Sequence, residues 1–217
     1  MKKLILLLLA AVMALGCAAC AAKPYTPAGQ ATGNAELDEA VLALLQELCD
    51  PKADLVANLG TVYDFLCTGI TYRATLADTS GGFTDELTNS LALELLQKRK
   101  GNCDAQAALT AVLLRRMGCE AQIVQGTFLR ADAPEPVDHA WVRAVVNGTA
   151  CWFDPLYGGH FAENPRDYFM ADDARMALTH QWDATDDCED TYACLFWKLW
   201  STMQKRTALR SAIMMRR

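Results

Sequence analysis

Asn147-Gly148 stands between two runs rich in β-branched and aromatic residues, 142–146 and 149–153, and constrains this chain more than any other feature. A two-residue connection of this kind makes a type I′ hairpin, because both central positions need positive φ, which Asn and Gly tolerate. The turn sets the pairing: Val146 opposite Thr149, Val145 opposite Ala150, Arg143 opposite Trp152 and Trp141 opposite Asp154. His139 then falls one diagonal step from Asp154 on the same face, where Cβ atoms about 7 Å apart or less let an imidazole reach a carboxylate. The other face carries Ala140, Val142, Ala144, Val146, Cys151 and Phe153, an apolar set that requires the same register. Asp138, although adjacent to His139, points the other way.

The segments before the hairpin read as helices. Leu37, Val41, Leu44, Leu45 and Leu48 recur at helical spacing over residues 36–48, with Pro51 beyond the end. A second helix over 52–68 stops at Gly69, and a third over 86–99 ends in basic residues that suit a helix C-terminus. A fourth begins at Cys103 and carries Ala108, Leu109, Val112 and Leu113 on one face, with Gly118 as its terminal cap. Residues 70–72 are a short β-type stretch, 79–84 a loop and 121–128 a strand. Helices first and sheet second predict an α+β domain.

Cys103, His139 and Asp154 supply a thiol, an imidazole and a carboxylate on three different elements, the parts of a nucleophilic cysteine site. At a helix start the free N–H groups carry partial positive charge, which favours thiolate over thiol. In such a site His139 moves the proton and Asp154 holds its tautomer. The Cys103 N–H is the first candidate donor to an oxyanion, and Tyr72 is the candidate second donor. The other histidines, His160 and His180, lie in irregular or acid-rich segments where no carboxylate partner can be derived.

The first residues read as an export signal: Lys2 and Lys3 precede an apolar run, 4–15, that is too short to span a bilayer. Small residues then precede Cys17, the expected lipidation site, with Cys20 as the alternative. The expectation is a protein tethered to the outer face of a membrane or facing the periplasm. Residues 17–35 read as a flexible spacer and 188–217 as a basic amphipathic helix, docked on the domain or lying on an anionic membrane. With 20 basic and 26 acidic residues, the chain has no overall basic field for nucleic acid. Apart from Cys17 and Cys20, which belong to the export signal, the seven remaining cysteines form no Cys-x-x-Cys pair, which argues against structural zinc, and no metal or cofactor is expected. An exported location permits disulfides among Cys49, Cys67, Cys119, Cys151, Cys188 and Cys194, in a connectivity the sequence leaves open.

Gly101-Asn102-Cys103, His139-Ala140-Trp141 and Phe153-Asp154-Pro155 together resemble the motifs of the transglutaminase-like superfamily, a papain-like group. Ile70-Thr71-Tyr72 is similar to a stretch upstream of that family's cysteine, and looser similarity continues to His180-Gln181-Trp182-Asp183. Leu156 departs from the threonine that many members carry after Asp-Pro, and no calcium-binding acidic loop is evident. The resemblance implies a papain-like core over residues 36–187, a Cys103-His139-Asp154 triad and an acyl-enzyme formed from a peptide or amide bond. The leading expectation is a peptidase or amidase acting on a peptide, protein or cell-wall peptide. Acyl transfer to an amine, deamidation and a noncatalytic envelope binding module are the alternatives.

Overall fold

The computed structural model describes residues 24–74, 79, 81–129 and 135–182. The signal segment, Cys17, Cys20, Cys188, Cys194 and the C-terminal amphipathic helix lie outside the described residues. Among the described residues, no helix is long and apolar enough to cross a membrane.

Four helices of fourteen residues each come first: α1 (Ala35–Leu48), α2 (Leu55–Thr68), α3 (Asp85–Lys98) and α4 (Cys103–Arg116). Each starts where a side-chain oxygen accepts a backbone N–H of the first turn, from Asn34, Asp54, Thr84 and Asn102 respectively. Two short strands, β1 (Thr71–Tyr72) and β2 (Lys100–Gly101), pair in parallel with Tyr72 opposite Gly101. This pairing ties the end of α2 to the two residues that lead into α4.

The second half forms β3 (Glu120–Phe128), β4 (Val137–Val146), β5 (Thr149–Phe153), β6 (Phe169–Ala171) and β7 (His180–Trp182). Between them lie α5 (Pro155–His160), a 3-10 turn (Pro165–Tyr168) and α6 (Asp173–Met176). The strands make an antiparallel sheet in the order β6-β5-β4-β3-β7, so the last strand returns to the edge beside β3. Helices in the first half and sheet in the second are the α+β architecture expected from the sequence. The β4–β5 hairpin has the expected register, from Val146 opposite Thr149 to Val142 opposite Phe153, with Asn147 and Gly148 both at positive φ.

Helix α4 is the centre of the core. Every residue from Ala105 to Leu114 is buried, and the helix packs on α3, β3 and β4. A helix apolar nearly all round is stable only inside a domain. Burying a single leucine such as Leu109 or Leu113 contributes roughly 1.5–3 kcal/mol. Cys103 therefore stands at the end of the most firmly held element of the fold.

The stretch before α1 is not a free spacer along its whole length. Gly29 donates its N–H to the Arg116 carbonyl at 2.9 Å and accepts from the Arg116 guanidinium at 2.5 Å. A Cβ at Gly29 would sit 1.8 Å from the Arg115 carbonyl oxygen, so only glycine permits this approach to the C-terminus of α4. Thr32 bonds Asp38 through both its N–H and its hydroxyl. Composition marked this segment as loose because backbone bonds to a distant helix end leave no local pattern.

Candidate active site

Asn102 precedes α4 in extended conformation, and its side-chain oxygen accepts the Ala105 N–H at 3.1 Å. Cys103 is thus the first helical residue, with its own N–H outside the helix's internal bonding. Its side chain is half-buried, whereas Cys49, Cys67, Cys119 and Cys151 are buried free thiols. Burial pushes the thiols of Cys49 and Cys151 up to about 11 and that of Cys67 up to about 12. Those three are held protonated and make poor nucleophiles.

Asp154 ends β5 and caps α5. Its Oδ1 accepts the Tyr157 N–H at 2.8 Å, and Pro155, which has no N–H to satisfy, fills the first helical position. Its backbone is fixed as well: its N–H donates to the Tyr168 carbonyl, and its carbonyl shares the Tyr63 hydroxyl with Pro165. The Asp-Pro pair is therefore a helix start that leaves Oδ2 free to serve another group.

That group is His139. The hydrogen bond between its Nε2 and Asp154 Oδ2 is 2.6 Å long, and the two residues are 4 % and 1 % exposed. Because a carboxylate only accepts, His139 is the Nε2–H donor. Its Nδ1 is buried with no hydrogen-bond partner among the described residues, and the Cys103 sulfur is near enough to act on the ring electrostatically. Burial alone would depress the imidazole pKa; the Asp154 charge and hydrogen bond, with Cys103, overcome this and raise it to about 9. Burial likewise works against ionised Asp154, but His139 and a second histidine hold its pKa below the usual carboxylate range.

The second histidine is His180, which the sequence left without a partner. It is fully buried in β7, and its Nε2 also donates to Asp154 Oδ2, at 2.8 Å. The missed signal was His180-Gln181-Trp182, a β-type triplet too short to stand out in an acid-rich segment. Its pairing partner, Phe128 on β3, lies far away in sequence. Asp104, also absent from the expected set, lies near enough to His139 to feel its charge. Burial raises its carboxyl pKa, and the Asn102 hydrogen bond and His139 partly offset this.

Tyr72 is 51 % exposed on β1, with its ring 6.4 Å from that of His160. Its strand pairs with Gly101, two residues before Cys103, so it flanks the helix start without a side-chain bond to the His139–Asp154 pair.

His139, Asp154 and His180 offer ligand atoms within 4.8 Å of one another, a spacing that suits a small cation. Each of those atoms already has a partner, however: both Nε2–H groups serve Oδ2, Oδ1 takes the Tyr157 N–H, and His180 Nδ1 meets the Thr179 hydroxyl. A cation would displace both histidine–carboxylate bonds, so this donor set is better matched to protons than to a metal.

Among solved structures, the chain is similar to a candidate cysteine protease from Cytophaga hutchinsonii, at 17% identity and TM-score 0.43, over 71% of this chain and 53% of that one. It is similar to a candidate protease from Parabacteroides distasonis, at 14% identity and TM-score 0.40, over 62% of this chain and 25% of that one. It is also similar to the periplasmic domain of TgpA from Pseudomonas aeruginosa bound to ethylmercury, at 21% identity and TM-score 0.40, over 56% and 44%. The chain thus spans between a quarter and about half of those proteins' lengths. No curated protein matches it. The model of the transglutaminase-like superfamily matches residues 43–155, just over half of the 217, from α1 to the residue after Asp154. The chain belongs to the transglutaminase-like superfamily.

Proposed function

We propose that this protein is a peptidase or amidase that uses Cys103 as nucleophile, His139 as proton carrier and Asp154 as the group that orients and charges His139. The observation that carries this reading is the 2.6 Å bond from His139 Nε2 to Asp154, which leaves Nδ1 as the ring's exchangeable position beside Cys103. Nδ1 takes the thiol proton, and the thiolate attacks the amide carbon, forming a C–S bond as the carbonyl electron pair moves onto oxygen. The Cys103 N–H donates to that oxyanion, with Tyr72 as candidate second donor. Collapse breaks the C–N bond while Nδ1–H protonates the departing amine. Water, deprotonated by Nδ1, then attacks the thioester and releases the acid and the thiolate.

An amine in place of water would turn the same cycle into acyl transfer. The two outcomes are separated by mass spectrometry of candidate peptides with and without a primary amine. The enzyme reading itself is tested with an electrophilic thiol probe and Cys103→Ala as control. Labelling near neutral pH that disappears in Cys103→Ala is expected; equal labelling of both proteins would refute a nucleophilic Cys103 and favour a binding module.

The proposed setting is the outer face of a membrane or the periplasm, with lipid on Cys17, or on Cys20 if processing falls there. The substrate is a peptide, a protein or cell-wall peptide, and 188–217 would add contact with an anionic membrane. Incorporation of a labelled fatty acid, lost in Cys17→Ser or in Cys20→Ser, tests the anchor.

A further inference from the structure

We propose that His180 is a positioning residue for the acyl-transfer chemistry, holding the Asp154 carboxylate ionised and aimed at His139 through its own Nε2–H. The inference rests on the proposed roles of Cys103, His139 and Asp154.

The argument begins with what a buried carboxylate needs. Asp154 is 1 % exposed, and a desolvated anion stays ionised only if its oxygens are met by donors. It has three: the Tyr157 N–H on Oδ1 and two imidazole N–H groups on Oδ2. The Tyr157 bond fixes one oxygen as a helix cap. His180 and His139 together meet the other, so that both oxygens of the carboxylate are held by donors.

His180 is itself held in one orientation and one tautomer. Since Nε2 must carry hydrogen to serve Asp154, Nδ1 of the neutral ring is an acceptor, and the Thr179 hydroxyl lies 2.9 Å from it. The Tyr168 hydroxyl lies 2.9 Å from the Thr179 hydroxyl. Donors therefore run in one direction, from Tyr168 to Thr179 to His180 to Asp154. Rings enclose the imidazole, with Trp141 at 4.8 Å, Tyr157 at 5.0 Å and Tyr168 at 5.7 Å between centroids.

Charge assigns different roles to the two histidines. Burial is the main influence lowering the pKa of His180, and nearby His139 adds to it, although Asp154 and the Met176 carbonyl oppose them. The same carboxylate raises the pKa of His139. One proton is thus shared out to the ring that meets Cys103, and His180 supplies a hydrogen bond without a competing positive charge. Asp104, which also senses His139, faces the pair from α4.

The test compares His180→Leu, which removes the donor, with His180→Gln, whose amide nitrogen can occupy the place of Nε2. The readout is the rate of Cys103 alkylation by iodoacetamide from pH 5 to 9, with thermal melting of each variant. His180→Leu is expected to slow alkylation at pH 6 at least tenfold and to move the acid limb upward. His180→Gln is expected to recover to within about threefold of wild type. Profiles of both variants that coincide with wild type, or equal losses in both, would overturn the positioning role while leaving the triad standing. A wild-type protein without Cys103-dependent alkylation would instead remove the triad and this inference together.

Discussion

His139 Nε2 and Asp154 Oδ2 lie 2.6 Å apart across fifteen residues of sequence, and both are sealed from water. The hairpin register brings them to the same face, and the helix cap of Asp154 turns the correct oxygen toward the ring. An ion pair in such surroundings is strongly dependent on each partner keeping its protonation state.

Asp154→Asn keeps an oxygen for the Tyr157 N–H but presents an amide N–H₂ to two imidazole N–H donors. One or both rings must change tautomer, and His139 can no longer hold its exchangeable nitrogen beside Cys103. Cys103-dependent turnover of a model amide should fall by at least a hundredfold, while circular dichroism remains close to wild type. Retention of more than a tenth of the activity would contradict the tautomer argument.

Stability should depend on pH at both ends. His139 has a folded pKa raised to about 9, so its contribution is complete below its unfolded value near ~6.5 and fades as pH rises through 9. Asp154 has a depressed pKa, so its contribution is present above the unfolded value near ~3.9 and is lost as pH falls below it. Urea unfolding midpoints should therefore be highest between roughly pH 4 and 6.5. In His139→Gln the decline between pH 6.5 and 9 should flatten; an unchanged slope would show that other groups cause it.

Asn102→Ala removes the acceptor of the Ala105 N–H at the start of α4. The expected loss is about 1 kcal/mol in denaturant unfolding. Alkylation of Cys103 should slow as well, because fraying at this end moves the thiol away from His139. A stability loss with unchanged thiol reactivity would separate the cap from the site.

Gly126 on β3 lies opposite both His139 and Trp182, and a Cβ there would stand 2.2 Å from the Gln181 carbonyl oxygen and 2.8 Å from the Trp141 ring. Gly126→Ala should push β7 from the sheet edge and take His180 with it. A loss of about 1–3 kcal/mol is expected, of the size seen for overpacked interiors. Activity should fall further than in Leu109→Ala, a core change expected to cost about 2–5 kcal/mol but remote from β7. Equal activity per folded molecule in the two variants would show that β7 does not shape the site.

The sequence by itself determined the parts that depend on local rules. Periodicity and capping residues mark the helices, Asn147-Gly148 sets the hairpin register, and that register carries His139 to Asp154. The helix after Cys103 was legible from the apolar face of Ala108, Leu109, Val112 and Leu113, and the structure adds Asn102 as the residue that caps its start. Tertiary structure decided what joins distant segments. Cys103 comes near His139 only because α4 packs against β3 and β4, a contact made by side-chain shape rather than by any pattern within one segment. His180 reaches Asp154 because β7 adds to the edge of β3 beside a glycine, and Gly29 docks on α4 by backbone bonds. Such contacts depend on backbone edges and on space left by absent side chains, which the order of residues along the chain does not display.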